Sequence, residues 1–298
     1  MEAGVKILVG GLQEMGQKLA GKVAVVTGGG GGIGKNVALA LAAEGASVVI
    51  NDFGTGPDGI KLADKAAAEV KKAGGQAVAN FDSVTTVVSA TKIINAATGN
   101  FGRVDILVNC AGNMVGTSTL EITQEQWDAT LAIHIGGHFA CSQAAAKEMV
   151  KQKSGGSIIN FASRGAFPFW GSAGSSYAVA KAGILGFTTA LSQELKKYDI
   201  RVNAICPNAS TPLFPSSDPR GGMGIPKTTS LDPSDIAPLI VYLVTDPAKN
   251  ITGQFIYAAG GDFCIFDRPL QPKLYIRKIG KWTVDELGEV IPSLGLGQ

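Results

Sequence analysis

Charged residues are scarce in this chain of 298 residues, and the charges it has nearly cancel. Charged side chains make up 17% of the sequence, which is low for a soluble protein and suggests that some surface is buried in an oligomer. The 26 basic and 24 acidic residues leave a net charge of +2. The chain therefore lacks the general field that would attract nucleic acid or an anionic membrane, and we expect neither as a partner.

Metal-ligand clusters, disulfide frameworks and long apolar runs are also missing. The four cysteines, Cys110, Cys141, Cys206 and Cys264, form neither a CxxC pair nor a metal-ligand cluster with the two histidines. No segment has the roughly 18 uninterrupted apolar residues that a membrane span needs, and the apolar stretch at the N-terminus is too short for a signal peptide. These absences predict reduced thiols, no bound metal and a cytoplasmic location.

Apolar residues and glycine are abundant, and their order along the chain indicates the fold class. Hydrophobic residues make up 45% of the sequence, and short β-rich runs alternate with Ala-rich helical stretches from residue 22 to about 261. This alternation predicts one α/β domain whose parallel sheet is covered by helices on both faces. The longest helical stretches are predicted near Gln124–Lys151 and Ser176–Lys197, and Asp232 is predicted to cap a further helix start. We predict seven strands: Val23–Thr27, Ser47–Asn51, Gln76–Phe81, Ile106–Asn109, Ser157–Phe161, Arg201–Ile205 and Gln254–Ala258.

Three segments fall outside the regular alternation. Residues 1–20 form an N-terminal extension, residues 21–267 the domain and residues 268–298 a C-terminal extension, in which a capping box predicts a short helix. That tail either packs on the body or a neighbouring subunit, or contacts the substrate. Residues 208–230, the lid segment below, are rich in Pro, Gly, Ser and Thr and follow the end of a strand. They are either a disordered loop or a lid over a substrate, and the position after a strand favours a lid.

A glycine-rich turn joins the first strand to the first helix. The sequence from Thr27 to Gly34 contains six glycines between an apolar strand and a helical segment, as in turns that admit a pyrophosphate at a helix N-terminus. Asp52 ends the second strand at the distance where a carboxylate reaches an adenosine ribose, unless it serves only as a turn former. A carboxylate repels a 2′-phosphate and no basic residue lies between Asn51 and Ile60, so we predict NAD as the cofactor.

Tyr177 and Lys181 lie four residues apart and therefore share one face of a helix. An ammonium at about 4 Å from a phenolate would lower the pKa of the phenol by about three units, toward the range useful for acid–base catalysis. Ser163 ends a strand, where its hydroxyl would hold a substrate oxygen opposite the phenol. We predict these three residues to be catalytic.

These motifs, taken in order, resemble the short-chain dehydrogenase/reductase family over roughly residues 20–262. The resemblance rests on the glycine turn, Asp82-Ser83, Asn109-Cys-Ala-Gly112, Ser163, Tyr177-x-x-x-Lys181 and Pro207-Asn with Thr211. It implies a Rossmann-type, doubly wound sheet of seven strands, and dimers or tetramers built through the two long helices. The predicted cofactor-binding residues are Gly28, Gly32, Ile33, Gly34, Asp52, Asp82, Ser83, Asn109, Ala111, Gly112, Tyr177, Lys181, Pro207 and Thr211.

The chain departs from the family pattern at two places. His134 stands where the family usually has an asparagine that completes a proton relay, and its imidazole either bonds a relay water or is structural. His138 is not expected to be catalytic. The segment before Tyr177 is one residue longer than usual and carries Phe167, Phe169 and Trp170, which either pack the loop or form a wall of a substrate pocket.

The predicted activity is NAD-dependent interconversion of a secondary alcohol and a ketone. The motifs Asn51-Asp-Phe-Gly54 and Ile133-His-Ile-Gly-Gly-His-Phe139 most resemble the family branch that contains the 3-hydroxyacyl-CoA dehydrogenases of multifunctional β-oxidation enzymes, which implies such a substrate. The aromatic residues instead favour a free bulky cyclic, aromatic or steroid-like alcohol. A third possibility is a non-catalytic subunit that keeps the fold for cofactor binding.

Overall fold

A single open sheet forms the centre of the protein. The computed structural model describes residues 17–167, 174–215, 225 and 227–266. The strands of the sheet are β1 Val23–Thr27, β2 Ser47–Asn51, β3 Gln76–Asn80, β4 Ile106–Asn109, β5 Gly156–Phe161, β6 Ile200–Pro207, β7 Phe255–Ala259 and β8 Asp262–Phe266. They are arranged in the order β3-β2-β1-β4-β5-β6-β7-β8. The first seven strands pair in parallel with one another.

The predicted α/β architecture is confirmed, and the structure adds an eighth strand. Strand β8 runs antiparallel to β7, with Ala259 opposite Asp262. Gly260 and Gly261 form the tight turn between them, and Gly260 adopts a φ of +54° that favours glycine. Because an antiparallel hairpin needs no connecting helix, β8 does not fit the alternation of strands and helices that predicts the other seven.

Helices cover both faces of the sheet. They are α1 Gly32–Ala43, α2 Leu62–Lys72, α3 Val87–Phe101, α4 Gln124–Leu131, α5 Gly137–Gln152, α6 Ser175–Glu194 and α7 Ala237–Val244. Helices α1, α2 and α7 pack their apolar residues on one face, and α3, α5 and α6 pack on the other. The interior strands are buried on both faces, which explains their nearly continuous apolar sequences.

Two predicted helix boundaries are revised by the structure. The long helix expected from Gln124 to Lys151 is interrupted by a π-helical turn, Ala132–Gly136, between α4 and α5. Asp232 caps a helix start as predicted, since its side chain accepts from the N–H of Ser234, but the first turn is 3₁₀.

The structured domain begins before residue 21. Leu19, which was assigned to the N-terminal extension, is buried in the core, and its N–H donates to the carbonyl of Glu44 at 2.8 Å. Residues 1–16 and the C-terminal extension with its predicted helix lie outside the described residues. Within the described part of the chain, no helix is long and apolar enough to cross a membrane.

The strand order reverses between β1 and β4, and this reversal positions the site. From β1 the chain proceeds outward to β3 and then returns to the other side of β1 to continue with β4. The connections leaving β1 and β4 therefore diverge and leave a crevice at the carboxyl ends of the strands.

Candidate active site

A cavity of about 650 Å³ lies at the carboxyl ends of the parallel strands. The predicted site residues that line it are Gly28, Gly32, Ile33, Gly34, Asp52, Gly112, His134, Ser163, Tyr177, Lys181, Pro207 and Thr211. Residues far apart in sequence thus meet in one place, because each follows the end of a strand or faces that end from a helix.

The glycine turn packs so closely that side chains are excluded from it. A Cβ on Gly28, whose φ is +64°, would lie 2.8 Å from the Cα of Ala111, and a Cβ on Gly34 would collide with the carbonyl oxygen of Gly28. The Thr27 hydroxyl accepts from the N–H groups of Cys110 and Ala111 at 3.2 and 3.3 Å, joining this turn to the end of β4. No side chain caps the N-terminus of α1. Its first turn therefore presents the positive end of the helix dipole to the cavity and leaves room for an anion.

Asp52 lies beside this turn. Its carboxylate accepts from the N–H of Gly30 at 3.1 Å and from the N–H of Gly54 at 2.8 Å, which fixes the side chain at the cavity wall. The carboxylate is therefore held against the glycine turn that leads into α1, where an adenosine ribose next to a pyrophosphate would lie.

The hydroxyls of Ser163 and Tyr177 are hydrogen-bonded to each other. The Ser163 oxygen also accepts from the N–H of Gly165 at 3.0 Å. Tyr177 is 4% exposed, and burial raises the pKa of its phenol to about 12, while the bond from Ser163 partly opposes that rise. The phenol is therefore protonated at neutral pH.

Lys181 is buried beside them, and no carboxylate among the described residues pairs with it. Its Nζ donates to the carbonyl of Phe161 at 2.6 Å and lies 5.6 Å from the centroid of the Tyr177 ring. Burial lowers the pKa of Lys181 to about 8. The predicted acidification of Tyr177 by this ammonium is wrong, because loss of solvent around the buried phenol has the largest effect on its pKa and raises it.

His134 lines the cavity from the π-helical turn. Its Nε2 lies 2.9 Å from the carbonyl oxygen of Asn113, and its ring meets that of Tyr177 edge-on at a centroid distance of 5.4 Å. Burial, and then the charge of Lys181, lowers the pKa of His134 to about 3. His134 is therefore a neutral imidazole, and its buried Nδ1 has no hydrogen-bond partner among the described residues.

Some predicted residues do not line the cavity. Asn109 lies behind it, 1% exposed, and donates to the Ser142 hydroxyl and the Asn160 side-chain oxygen, both at 2.9 Å. Ala111 packs against the glycine turn. Asp82 accepts from the Asn80 amide at 2.9 Å, and Ser83 bonds Thr85.

Of the three aromatic residues predicted to pack the loop or form a pocket wall, Phe167 is among the described residues. Phe167 packs on Phe266 with ring centroids 4.4 Å apart, in a small apolar cluster, and does not line the cavity. It therefore matches the alternative in which the aromatic residues pack the loop. Phe169 and Trp170 lie outside the described residues.

Sequence reasoning missed the apolar residues that do line the cavity. Met114, Leu213 and Phe214 contribute to its wall, and the Phe214 ring lies 5.7 Å from that of Tyr177. Leu213 and Phe214 belong to the lid segment, so the prediction that this segment covers the site gave an available signal for them. No such signal existed for Met114, because this residue lies in an irregular segment after β4.

Residues 22–217 match the sequence profile of the family described as short chain dehydrogenase. The chain belongs to the short-chain dehydrogenase family. A solved short chain dehydrogenase from Mycobacterium avium is similar over 93% of this chain and 95% of that one, with 34% identity and a TM-score of 0.82. The fold and the order of the motifs are therefore those of this family.

Two similar proteins align with most of this short-chain dehydrogenase. A hydroxyacyl-CoA dehydrogenase of Mycobacterium tuberculosis is 31% identical over 90% of this chain and 87% of its own length. The peroxisomal multifunctional enzyme type 2 of Mus musculus is 36% identical over 80% of this chain. The aligned part is 32% of the mouse enzyme, so this chain corresponds to about a third of that protein.

Proposed function

We propose that this short-chain dehydrogenase interconverts a secondary alcohol and a ketone by hydride transfer with NAD. The observation that carries the proposal is the meeting of Ser163, Tyr177 and Lys181 in the same cavity as the glycine turn and Asp52. A hydroxyl pair, a nearby cation and a phosphate-sized opening at a helix N-terminus are what such a reaction needs from a protein.

The residues present fit a dinucleotide. The backbone of the glycine turn is free of Cβ atoms where it borders the cavity, and the N-terminus of α1 has no capping side chain. Asp52 would accept hydrogen bonds from the adenosine ribose, and Lys181 has donors left for the other ribose after its bond to Phe161. When bound, the nicotinamide accepts or supplies the hydride.

Tyr177 exchanges the proton in this mechanism. For ketone reduction, the neutral phenol donates its proton to the carbonyl oxygen, and its raised pKa keeps it protonated for that step. Ser163 donates to the same oxygen and stabilises its developing charge. For alcohol oxidation, Tyr177 must first lose its proton, which requires the combined positive charges of Lys181 and oxidised nicotinamide to offset burial.

A 3-hydroxyacyl-CoA is the substrate class that we favour. The support is the activity named for the relative that covers nearly the same length, together with the apolar wall of Met114, Leu213 and Phe214, which suits an acyl chain. Arg164 also borders the cavity, where a cation suits an anionic substrate group. The same apolar wall would also accept a free bulky alcohol, which is the second candidate.

The test is a substrate panel with the full chain. Hydride transfer would be followed as NADH absorbance with 3-hydroxyacyl-CoA esters of several lengths and with free cyclic, aromatic and steroid alcohols, and in reverse with the ketones. The proposal predicts turnover with NAD and preference for the CoA esters. Thermal stabilisation by NAD without turnover of any compound would instead support a non-catalytic cofactor-binding subunit.

A further inference from the structure

The π-helical turn between α4 and α5 contains His134 and is followed directly by a second buried histidine. His134 and His138 are 0% and 2% exposed. π-Helical turns are rare and occur mainly at functional sites. The mechanism above gives neither of these histidines a role.

His138 bonds across this turn. Its Nδ1 lies 2.7 Å from the carbonyl oxygen of His134. A carbonyl oxygen can only accept, so Nδ1 carries the ring proton. The Nε2 atom has no hydrogen-bond partner among the described residues. Burial, followed by the charge of Lys181, lowers the pKa of His138 well below its usual value, while the backbone of His134 and Asn109 acts in the opposite direction. The ring is therefore neutral.

The residue that His138 holds is in contact with the reaction centre. The His134 imidazole bonds the Asn113 carbonyl and meets the Tyr177 ring edge-on. Its other side lies against Gly112, where a Cβ would come within 2.6 Å of Cε1. The imidazole thus fits closely between Gly112 and Tyr177, and a small shift of the turn would move both.

The same face of the helix is anchored to the sheet. His134, His138 and Ser142 are spaced four residues apart and are all buried. Ser142 bonds Asn109 at the end of β4, and Asn109 bonds Asn160 of β5. The Asn160 amide then donates to Thr188 of α6, the helix that carries Tyr177 and Lys181, at 3.0 Å.

We propose that His138 is a positioning residue for the reaction: its imidazole, held as the Nδ1–H tautomer by the His134 carbonyl, fixes the π-helical turn that sets His134 against Tyr177. The role is mechanical, because His138 does not line the cavity. The inference rests on the proposed function for its kinetic consequence, whereas the tautomer and the hydrogen bond are independent of it.

Two variants of similar shape separate the hydrogen bond from packing. In His138→Asn, the side-chain amide can still donate to the His134 carbonyl, whereas in His138→Leu it cannot. We expect His138→Leu to lower kcat by about tenfold to a hundredfold with the KM for NAD nearly unchanged, because a misplacement of about 1 Å is enough for such a loss. His138→Asn should stay close to wild type.

Nuclear magnetic resonance tests the tautomer without any assay of activity. The chain has only two histidines, so protein labelled with ¹⁵N in histidine gives two sets of ring signals, and the His138→Asn variant assigns them. We expect His138 to be neutral with a protonated Nδ1 throughout the neutral pH range.

Three results would overturn the inference. They are a protonated Nε2 on His138, a wild-type kcat in His138→Leu, and a His138→Asn variant that loses as much kcat and melting temperature as His138→Leu does. If His138→Leu does not fold, the tautomer and the His138→Asn kinetics still decide. Failure of the proposed function looks different, since the wild-type chain would then be inactive on the whole substrate panel.

Discussion

At the scale of single residues, burial determines the charge states of the site. It raises the pKa of Tyr177 to about 12, lowers that of Lys181 to about 8 and lowers that of His134 to about 3. The site therefore presents a neutral phenol, a neutral imidazole and a cation that burial destabilises. The spacing of these residues in the sequence correctly predicts that they meet. It does not predict how far burial shifts each pKa, because burial depends on the whole surrounding fold.

Lys181→Met should change the pH dependence of stability. Below pH 8 the wild-type protein must bury the ammonium. Between about pH 8 and pH 10.5 folded Lys181 is deprotonated while the unfolded chain still binds the proton, so wild-type stability rises with pH through that window. Relative to Lys181→Met, the free energy of unfolding of wild type should rise by about 3 kcal/mol across it.

Urea unfolding of both proteins at several pH values measures this difference. Titratable groups that the two proteins share contribute equally to both unfolding free energies and cancel in the difference. The comparison therefore isolates Lys181. A difference in unfolding free energy that stays constant from pH 7.5 to pH 10.5 would contradict the buried, uncompensated ammonium.

Asp52→Asn should relax the preference for NAD. The substitution removes the negative charge that would repel a 2′-phosphate, while the amide oxygen can keep one of the two bonds to Gly30 and Gly54. We expect the ratio of kcat/KM for NADP to that for NAD to rise about tenfold or more, equivalent to about 1.4 kcal/mol. Steady-state kinetics with both cofactors measure the ratio, and an unchanged ratio would mean that Asp52 serves only as a turn former.

At the scale of elements, the sequence predicts regular strands and helices well and irregular ones poorly. The strand–glycine–helix unit from Val23 to Ala43 was predictable because apolar periodicity and glycine placement agree there. The turn at Ala132–Gly136 was not, since its residues continue the apolar pattern of a helix and the extra residue per turn leaves no sequence mark. Its position depends on bonds from His134 and His138 that form only in the folded protein.

Gly112→Ala should disturb this turn. The new Cβ would lie 2.6 Å from Cε1 of His134, so the imidazole must move and would press on Tyr177. We expect a loss of about 1–3 kcal/mol of stability together with a marked fall in kcat. Gly116→Ala in the same loop is the control, because its Cβ would meet nothing within 4 Å. Equal behaviour of the two variants in thermal melts and turnover would refute the close packing of the imidazole.

At the scale of the whole molecule, the sequence predicts the architecture but not the cavity wall. Parallel strands with intervening helices, and the meeting of their carboxyl ends, follow from the order of the elements. The contribution of Met114 does not, because irregular segments are placed by contacts across the fold. The cytoplasmic location stays a prediction, and some relatives are named as peroxisomal proteins.

We expect the protein to form a dimer or tetramer through α5 and α6. Phe139 on α5 and Val179 on α6 are 44% and 50% exposed, which leaves apolar side chains of both long helices open to solvent. Phe139→Glu should therefore lower the mass measured by light scattering toward that of one chain. Val88→Glu, at an exposed apolar position on α3, is the matched control and should leave the mass unchanged. A wild-type protein that is monomeric at micromolar concentration would contradict this expectation.

The central claim is that the phenol of Tyr177 exchanges a proton with the reacting oxygen, and Tyr177→Phe tests it most directly because only the hydroxyl is removed. With an active substrate from the panel and saturating NAD, turnover should fall by about a hundredfold to ten-thousandfold, the contribution typical of a general acid–base group. The variant should remain folded and should still be stabilised by NAD in thermal melts. Near-normal NADH formation by that folded variant would contradict the account.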